Sequence, residues 1–364
     1  MRRLRPLVAR RLAVLIAWLA LFFFAATAMA DTPIPQENGL PVNVDVGVAF
    51  VDLLGFDENA GTFRATIDLR LRWNDPRLRN TSANVATPPQ TFTDKAALDR
   101  IGNMWIVPLV IANQRGNALA SSYGLRLYPN GGVELIHRIT ADFDAEINVG
   151  KFPFDRQKLA IEAKVDGLPL GLVTLRFGQP ELDFSRPARD ARIAGWTVGL
   201  VDLRSDPVPG WYNVAGGRVI ASLEVTRQPG LIVASIFIPL LASLFIPLLA
   251  MWLNRIEDGV FQVDTFELVN IIIGGLFAVI ALNFTVYSTY VVLADGDNTV
   301  NRLFALNYLA LAGALVVNIT FARFNLLAHI WGPWVQEQTY YVLMWLIPVM
   351  VLVLAAAFLL TAYM

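Results

Sequence analysis

The chain has no cysteine and only two histidines among its 364 residues. Without cysteine it can form neither disulfides nor thiolate metal sites, and it has no thiol nucleophile. The sequence also lacks the G-x-S-x-G, H-E-x-x-H and phosphate-loop motifs of common hydrolytic and nucleotide-dependent enzymes. We therefore predict that the protein is not an enzyme and that it needs no cofactor.

Neither sign of charge dominates, with 30 acidic residues against 29 basic ones. Five of the arginines fall in residues 1–30, where an apolar run and Ala28-Met29-Ala30 complete the pattern of a signal peptide; an uncleaved anchor helix is the alternative. Removing this leader leaves 24 basic residues against 30 acidic ones, a net charge of −6. A mildly acidic exported chain does not suit nucleic acid as a partner.

Residues 31–228 contain no apolar run long enough to span a bilayer, but they alternate between apolar and polar residues. In the stretch from Arg64 to Trp73, every second residue is apolar and those between are polar or charged. Such a strand packs on one face and is solvated on the other. Many strands of this kind, separated by Gly, Pro and Asn, predict a β-sandwich domain.

Residues 229–364 contain four apolar stretches, at about 231–253, 266–293, 303–322 and 340–364. Each is near the roughly 20 residues that a membrane-spanning helix needs. Apart from Glu267 near the start of the second, they contain no Asp, Glu, Lys, Arg or His. Ion-coupled transport is therefore disfavoured. The fold class is a β-sandwich followed by a four-helix transmembrane bundle, and an exported sandwich places the C-terminus outside as well.

Several motifs occur in an order that resembles the bacterial pentameric ligand-gated ion channels. These are Trp73-Asn74-Asp75, the turn Phe152-Pro153-Phe154-Asp155-Arg156-Gln157, Arg227 at the end of the last strand, and Pro239 or Pro247 in the first helix. Ala145 and Leu159 stand where other branches of the family have the Cys-loop cysteines. The resemblance implies a homopentameric channel in the lipid of the bacterial inner membrane, with the sandwich in the periplasm.

The resemblance also implies how the two domains communicate. Phe152, Pro153 and Phe154 would form a stiff apolar wedge against the ends of the membrane helices. Asp155 would lie near Arg227, together with an acid of the first hairpin that is either Asp57 or Glu58. The wedge would touch the loop between the second and third helices near Asp297.

The second apolar stretch carries the predicted pore face. Starting from Glu267, helical spacing places one row of residues on a common side: Glu267, Asn270, Gly274, Phe277, Ala281, Phe284 and Ser288. In a pentamer, Glu267 would form an acidic ring that favours cations, and the two phenylalanines would form apolar constrictions. The alternative is that these residues only pack the helix, in which case the protein is a non-conducting membrane-anchored receptor.

The agonist would be a small molecule, a proton or a divalent cation that binds between neighbouring sandwiches. Trp211 and Tyr212 are the candidates for the loop that covers this site. Asp142, Asp144 and Glu146 alternate, which would place three carboxylates on one strand face. That face is either a solvated surface or a site at which Ca²⁺ modulates the channel.

Overall fold

The computed structural model describes residues 33–80, 88–254, 256–257 and 260–363. The expected signal peptide, residues 1–30, lies outside this part of the chain. A β-sandwich comes first and ends with a strand at Arg227, and the first long helix begins at Gly230. The predicted fold class, a β-sandwich followed by four long apolar helices, is confirmed.

Two sheets form the sandwich. The larger has the strand order β3-β5-β6-β2-β1-β8, and the smaller has the order β4-β7-β10-β9. Only β1 and β8 pair in parallel within the larger sheet, and its other pairs are antiparallel. The strands are β1 (Val42–Asp57), β2 (Thr62–Asn74), β3 (Gln90–Thr93), β4 (Leu109–Ile111), β5 (Gln114–Leu127), β6 (Gly132–Asp144), β7 (Arg156–Val165), β8 (Val173–Arg176), β9 (Trp196–Pro209) and β10 (Ala215–Arg227).

The core lies between the two sheets and is built from alternate residues of each strand. In β2, the apolar residues of the Arg64-to-Trp73 stretch are all buried, as the alternation predicted. In β9 the alternation fails, because Gly199 and Leu200 together face one residue of β10 and form a bulge. Leu200 is consequently turned outward and is 81% exposed, although strict alternation would put it on the same face as Trp196 and Val198.

Two short helices, α1 (Asp94–Ile101) and α2 (Gln179–Phe184), accompany the sandwich. The long apolar helices are α3 (Gly230–Trp252), α4 (Thr265–Thr289), α5 (Thr299–Arg323) and α7 (Pro333–Tyr363). A six-residue helix, α6 (Leu326–Trp331), joins α5 to α7, and a small hairpin of β11 (Ile256–Glu257) and β12 (Val260–Phe261) joins α3 to α4. The last helix thus begins at Pro333 rather than at residue 340.

Helices α3, α4 and α5 pack against one another, and α7 packs against α5 and α3. A buried hydrogen bond of 3.0 Å joins Ser243 of α3 to Asn307 of α5. The hydroxyl of Tyr340 in α7 donates to the carbonyl of Met251 at the end of α3, at 2.8 Å. Polar side chains thereby fix the helix order inside an otherwise apolar bundle.

Candidate functional site

The aromatic turn between β6 and β7 lies where the sandwich meets the helices. Phe152 is fully buried, and its ring lies 6.4 Å from the ring of Phe237 in α3 and 5.8 Å from that of Tyr290. Tyr290 immediately follows α4. Phe154 makes an edge contact of 5.6 Å with Tyr363, at the end of α7. The turn therefore touches three of the four long helices or the loops that end them.

Arg227 forms the polar centre of this interface. Its Nε donates to Asp155 Oδ1 at 2.6 Å, and its Nη1 donates to Glu58 Oε1 at 2.9 Å. Its guanidinium also lies over the rings of Trp196, at 4.2 Å, and Phe152, at 4.9 Å. Burial disfavours the charged form, but the hydrogen bonds to both carboxylates outweigh that effect and hold the pKa of Arg227 above its ordinary value.

The acid of the first hairpin in this cluster is Glu58, and the prediction of Asp57 as a coupling residue is wrong. Asp57 is the last residue of β1, and its carboxylate accepts a hydrogen bond from the backbone N–H of Ala60 at 3.0 Å. It therefore stabilises the hairpin turn. Glu58 is the next residue, and the turn directs its side chain toward Arg227.

Asn59, which the sequence did not single out, joins the same hairpin to the end of α4. Its Nδ2 donates to the carbonyl of Thr289 at 3.1 Å, and its Oδ1 accepts from the backbone N–H of Val292 at 3.3 Å. The last carbonyls of a helix have no partner within the helix. One side chain of the sandwich thus provides a donor to the end of α4 and an acceptor to the loop that follows.

Asp297 was predicted to lie beside the aromatic turn, in the loop between α4 and α5. Its side chain has a different partner. It forms an ion pair with Arg302 in the first turns of α5, and it makes no hydrogen bond with a described residue of the sandwich. The hydrogen bond from Arg302 lowers the pKa of Asp297. Tyr290 and Val292 contact the sandwich directly, through the ring of Phe152 and the side chain of Asn59.

All seven residues of the predicted pore face are exposed in the single chain. Phe277 is 67% exposed and Phe284 is 75% exposed. The opposite side of α4 is buried, through Leu268, Ile272, Gly275, Val279 and Val286. Glu267 lies in the first turn, next to Asp264, which caps the helix by accepting from the backbone N–H of Phe266 at 2.9 Å. The helix therefore has a narrow packed side, and its free face, which carries the predicted pore row, lies opposite that side.

A cleft lies at the opposite end of the sandwich, between the loop after β7 and the loop between β9 and β10. Its volume is about 750 Å³, and its wall is largely apolar, with Lys164 and Asp166 as charged members. Tyr212 lines the cleft and is 98% exposed at the tip of the covering loop. The side chain of Trp211 lies outside the described part of the chain. Among the described side chains, the cleft has one aromatic ring rather than a cage of several.

The predicted group of three carboxylates does not form. β6 ends at Asp144, so Glu146 lies in the following loop and not on the same strand face. Asp142 is held by Arg64 through two hydrogen bonds, of 2.7 and 2.9 Å. In residues 33–80, 88–254, 256–257 and 260–363, no three His, Asp or Glu side chains are close enough to hold a metal ion.

His137 lies on the inner face of β6, where the core is open to a small cavity. Its ring stacks on Tyr123 with the ring centroids 4.2 Å apart, and its Nε2 is 2.8 Å from the hydroxyl of Ser121. Burial lowers the pKa of His137 to about 4. The imidazole is therefore neutral at pH 7 and acquires a proton only in acid.

Comparison with known proteins agrees with this architecture. Residues 29–165 match the family model described as the neurotransmitter-gated ion-channel ligand binding domain. The chain is 22% identical over 255 residues to a proton-gated ion channel of Gloeobacter violaceus. The matched region covers 69% of this chain and 68% of the relative.

Two animal receptor subunits are also similar. A gamma-aminobutyric acid receptor subunit pi of Rattus norvegicus is 25% identical over 231 residues, covering 60% of this chain and 49% of the relative. The glycine receptor subunit beta of Homo sapiens is 24% identical over 247 residues, covering 63% and 47%. The chain thus spans about half the length of these two relatives.

Proposed function

Because this chain belongs to the family of pentameric ligand-gated ion channels, we propose that five copies surround a cation-selective pore that opens when a ligand binds the β-sandwich. The free face of α4 carries this proposal. The seven predicted pore residues are all exposed and run along one side of a membrane-length helix, opposite the side that packs against α3 and α5. In a pentamer that face would turn toward the common axis.

The chemistry of the face suits a gated cation pore. Glu267 in the first turn of α4 would form a ring of five carboxylates, which attracts cations at one mouth. Phe277 and Phe284, about two turns apart, would form narrow apolar rings that exclude water when the pore is closed. Ion selectivity and gating would therefore reside at different levels of the same helix.

The cleft beside Tyr212 is the proposed agonist site. It lies at the end of the sandwich far from the helices, and a neighbouring subunit would close its open side. Tyr212, which lines the cleft, would cover a small ligand there together with Trp211, the preceding residue of the same loop. Because one relative is described as proton-gated and others as receptors for gamma-aminobutyric acid and glycine, acid is the first stimulus to test and small amino acids are the second.

The proposed location is the bacterial inner membrane, with the sandwich in the periplasm. The signal-peptide pattern of residues 1–30 supports export of the sandwich. The contact between Phe154 and Tyr363 supports a C-terminus on the same side as the sandwich, since four spans return the chain to that side.

Reconstitution of the purified protein tests the proposal. Mass photometry would give the number of subunits, and planar bilayers would give currents as the pH is lowered and amino acids are added. Glu267→Gln is expected to move the reversal potential in a salt gradient toward that of a non-selective pore. Glu337→Gln is the matched control, because Glu337 lies near the same end of the bundle but on the peripheral α7. Equal reversal potentials in the wild type and Glu267→Gln would remove Glu267 from this role.

The gate has its own test. Phe277→Ala should weaken the apolar barrier and give leak or easier opening, whereas Phe245→Ala removes an exposed ring from α3, which would not face the pore. If both variants opened like the wild type, Phe277 would not be the gate.

A non-conducting receptor with the same architecture is the second candidate. It is favoured by the scarcity of polar groups in the predicted pore row of α4, which has no hydroxyl or amide side chain between Asn270 and Ser288. An intact pentamer that binds a ligand but passes no current under any of these conditions would support it.

A further inference from the structure

The short helix α6 and its flanks expose a patch of large apolar side chains at the end of the bundle that is far from the sandwich. We define the interfacial patch as Phe324, Ile330, Trp331 and Trp334. Trp331 is 65% exposed and Trp334 is 71% exposed. A contiguous exposed apolar patch of this kind normally contacts a partner or a membrane.

The patch rests on a rigid frame. Gln336, in the first turn of α7, is buried and donates to Asn325 Oδ1 at 2.9 Å and to the carbonyl of Phe321 at 3.2 Å. Its Oε1 accepts from the backbone N–H of Ala328 at 2.9 Å. One amide therefore ties together the end of α5, the start of α6 and the start of α7. The orientation of α6 is set by these bonds, so the exposed side of the patch is fixed.

The position of the patch is set by the helices on both sides. Helix α5 has 25 residues and ends at Arg323, and α7 begins at Pro333. At 1.5 Å per residue, α5 is about 37 Å long, which exceeds the roughly 30 Å thickness of the hydrocarbon layer. The segment between the two spans therefore lies at the level of the headgroups and is too short to leave it.

The charges beside the patch suit phosphate groups. The guanidinium of Arg323 is exposed and makes no hydrogen bond or ion pair with a described residue. In contrast, Arg302 near the other end of the same helix is paired with Asp297. His329 is exposed as well, with its Nδ1 2.8 Å from the carbonyl of Asn325. Glu337, the acid in the first turns of α7, is partly buried.

We propose that α6 is an in-plane anchor, whose interfacial patch lies at the boundary between the headgroups and acyl chains of phospholipid, with Arg323 toward the phosphates. Tryptophan is enriched at this depth because its ring is apolar and its N–H is polar. The patch also continues the exposed apolar surface of α7, which includes Trp345 and Val349. Phospholipid can cover both surfaces without a break.

Depth-dependent fluorescence quenching in nanodiscs tests the proposal on the full-length protein. One lipid carries bromine near the glycerol and another carries it near the middle of the bilayer. The double variant Trp331→Phe, Trp334→Phe is expected to lose most of the quenching by shallow bromine and little of that by deep bromine. Trp345 lies about 18 Å along α7 from Pro333, at the level of Trp252, the last residue of α3, so Trp345→Phe should leave the shallow quenching of Trp331 and Trp334 in place.

The control separates lipid contact from a change of fold. Trp345 is exposed on α7 and lies against Trp252 at 6.0 Å, so its variant also loses an exposed indole, one where the double variant loses two. Shallow quenching that is unchanged in the double variant would overturn the proposal, because the patch would then be covered by protein or would face water. The same is true if the double variant loses deep quenching, which would place α6 inside the hydrocarbon layer.

Discussion

Two adjacent glycines of α4 allow a matched test of how this helix is packed. A Cβ atom added at Gly275 would lie 2.7 Å from Ile246 Cγ2 and 3.1 Å from Leu311 Cδ2. A Cβ atom added at Gly274 would have no neighbour within 4 Å. Gly275 thus permits α3, α4 and α5 to approach closely, whereas Gly274 is on the free face.

The structure gives the expected size of the difference. Both substitutions to alanine gain the same helix propensity, about 1 kcal/mol relative to glycine. At Gly275 the new methyl group must also displace side chains of two other helices, and overpacking of this kind costs about 1–3 kcal/mol. Gly275→Ala is therefore expected to be less stable than Gly274→Ala by about 1–3 kcal/mol.

Unfolding of both variants in the same nanodiscs, by steric trapping or by thermal unfolding, would measure this difference. Single-channel recording on the same samples adds a second readout. A methyl group at Gly274 would narrow the proposed pore and lower its conductance, although the stability rises. Equal stabilities, or a more stable Gly275→Ala variant, would refute the close approach of the three helices.

Three further predictions concern the sandwich. Glu58→Gln should destabilise the protein by about 1–3 kcal/mol, because it leaves the buried Arg227 with one charged partner fewer. Asp57→Asn should destabilise it less, and thermal unfolding of the two variants would measure the difference. His137 has a pKa of about 4 against an ordinary value of 6.5, so the unfolded state binds more protons between these values and stability falls as the pH falls. His137→Phe should remove about 1–2 kcal/mol of that dependence, after allowance for partial solvation of the ring. Asn59→Ala should leave the end of α4 less protected in hydrogen exchange, and unchanged exchange there would contradict its role.

The alternation of apolar residues was sufficient to predict much of the fold. In β2 it identified the buried side chains, because one face of a twisted sheet must be covered. Helical spacing likewise placed the row from Glu267 to Ser288 on the side of α4 away from the packed residues Leu268, Ile272 and Val279, whereas its role in a pore stays a prediction. Both patterns depend only on the local period of the backbone, so a single sequence contains them in full.

Features that change when a side chain is shifted by a single position along the chain were not predicted. The choice between Asp57 and Glu58 is decided by the geometry of the first hairpin, and the exposure of Leu200 is decided by a bulge in β9. Asn59 meets α4 across 230 residues of chain. Such contacts have no local signal, although an amide directly after the acids of the first hairpin could have been considered.

The strength of the contacts at the domain boundary sets how a signal could cross it. Arg227 joins β10, the first hairpin and the aromatic turn by charge-assisted bonds, so these three segments of the sandwich are held together firmly. The end of α4 is held by weaker contacts, from Asn59 and from the rings of Phe152 and Tyr290. The hydrogen bonds of Asn59 and the ring contact between Phe152 and Tyr290 together contribute about 1–2 kcal/mol in each subunit. In the proposed pentamer the sum over five subunits is about 5–10 kcal/mol, comparable with the roughly 5.5 kcal/mol that moves a two-state equilibrium from 1:99 to 99:1. Breaking or remaking this small set of contacts in all subunits would therefore be enough to change the state of α4, while the Arg227 cluster stays intact.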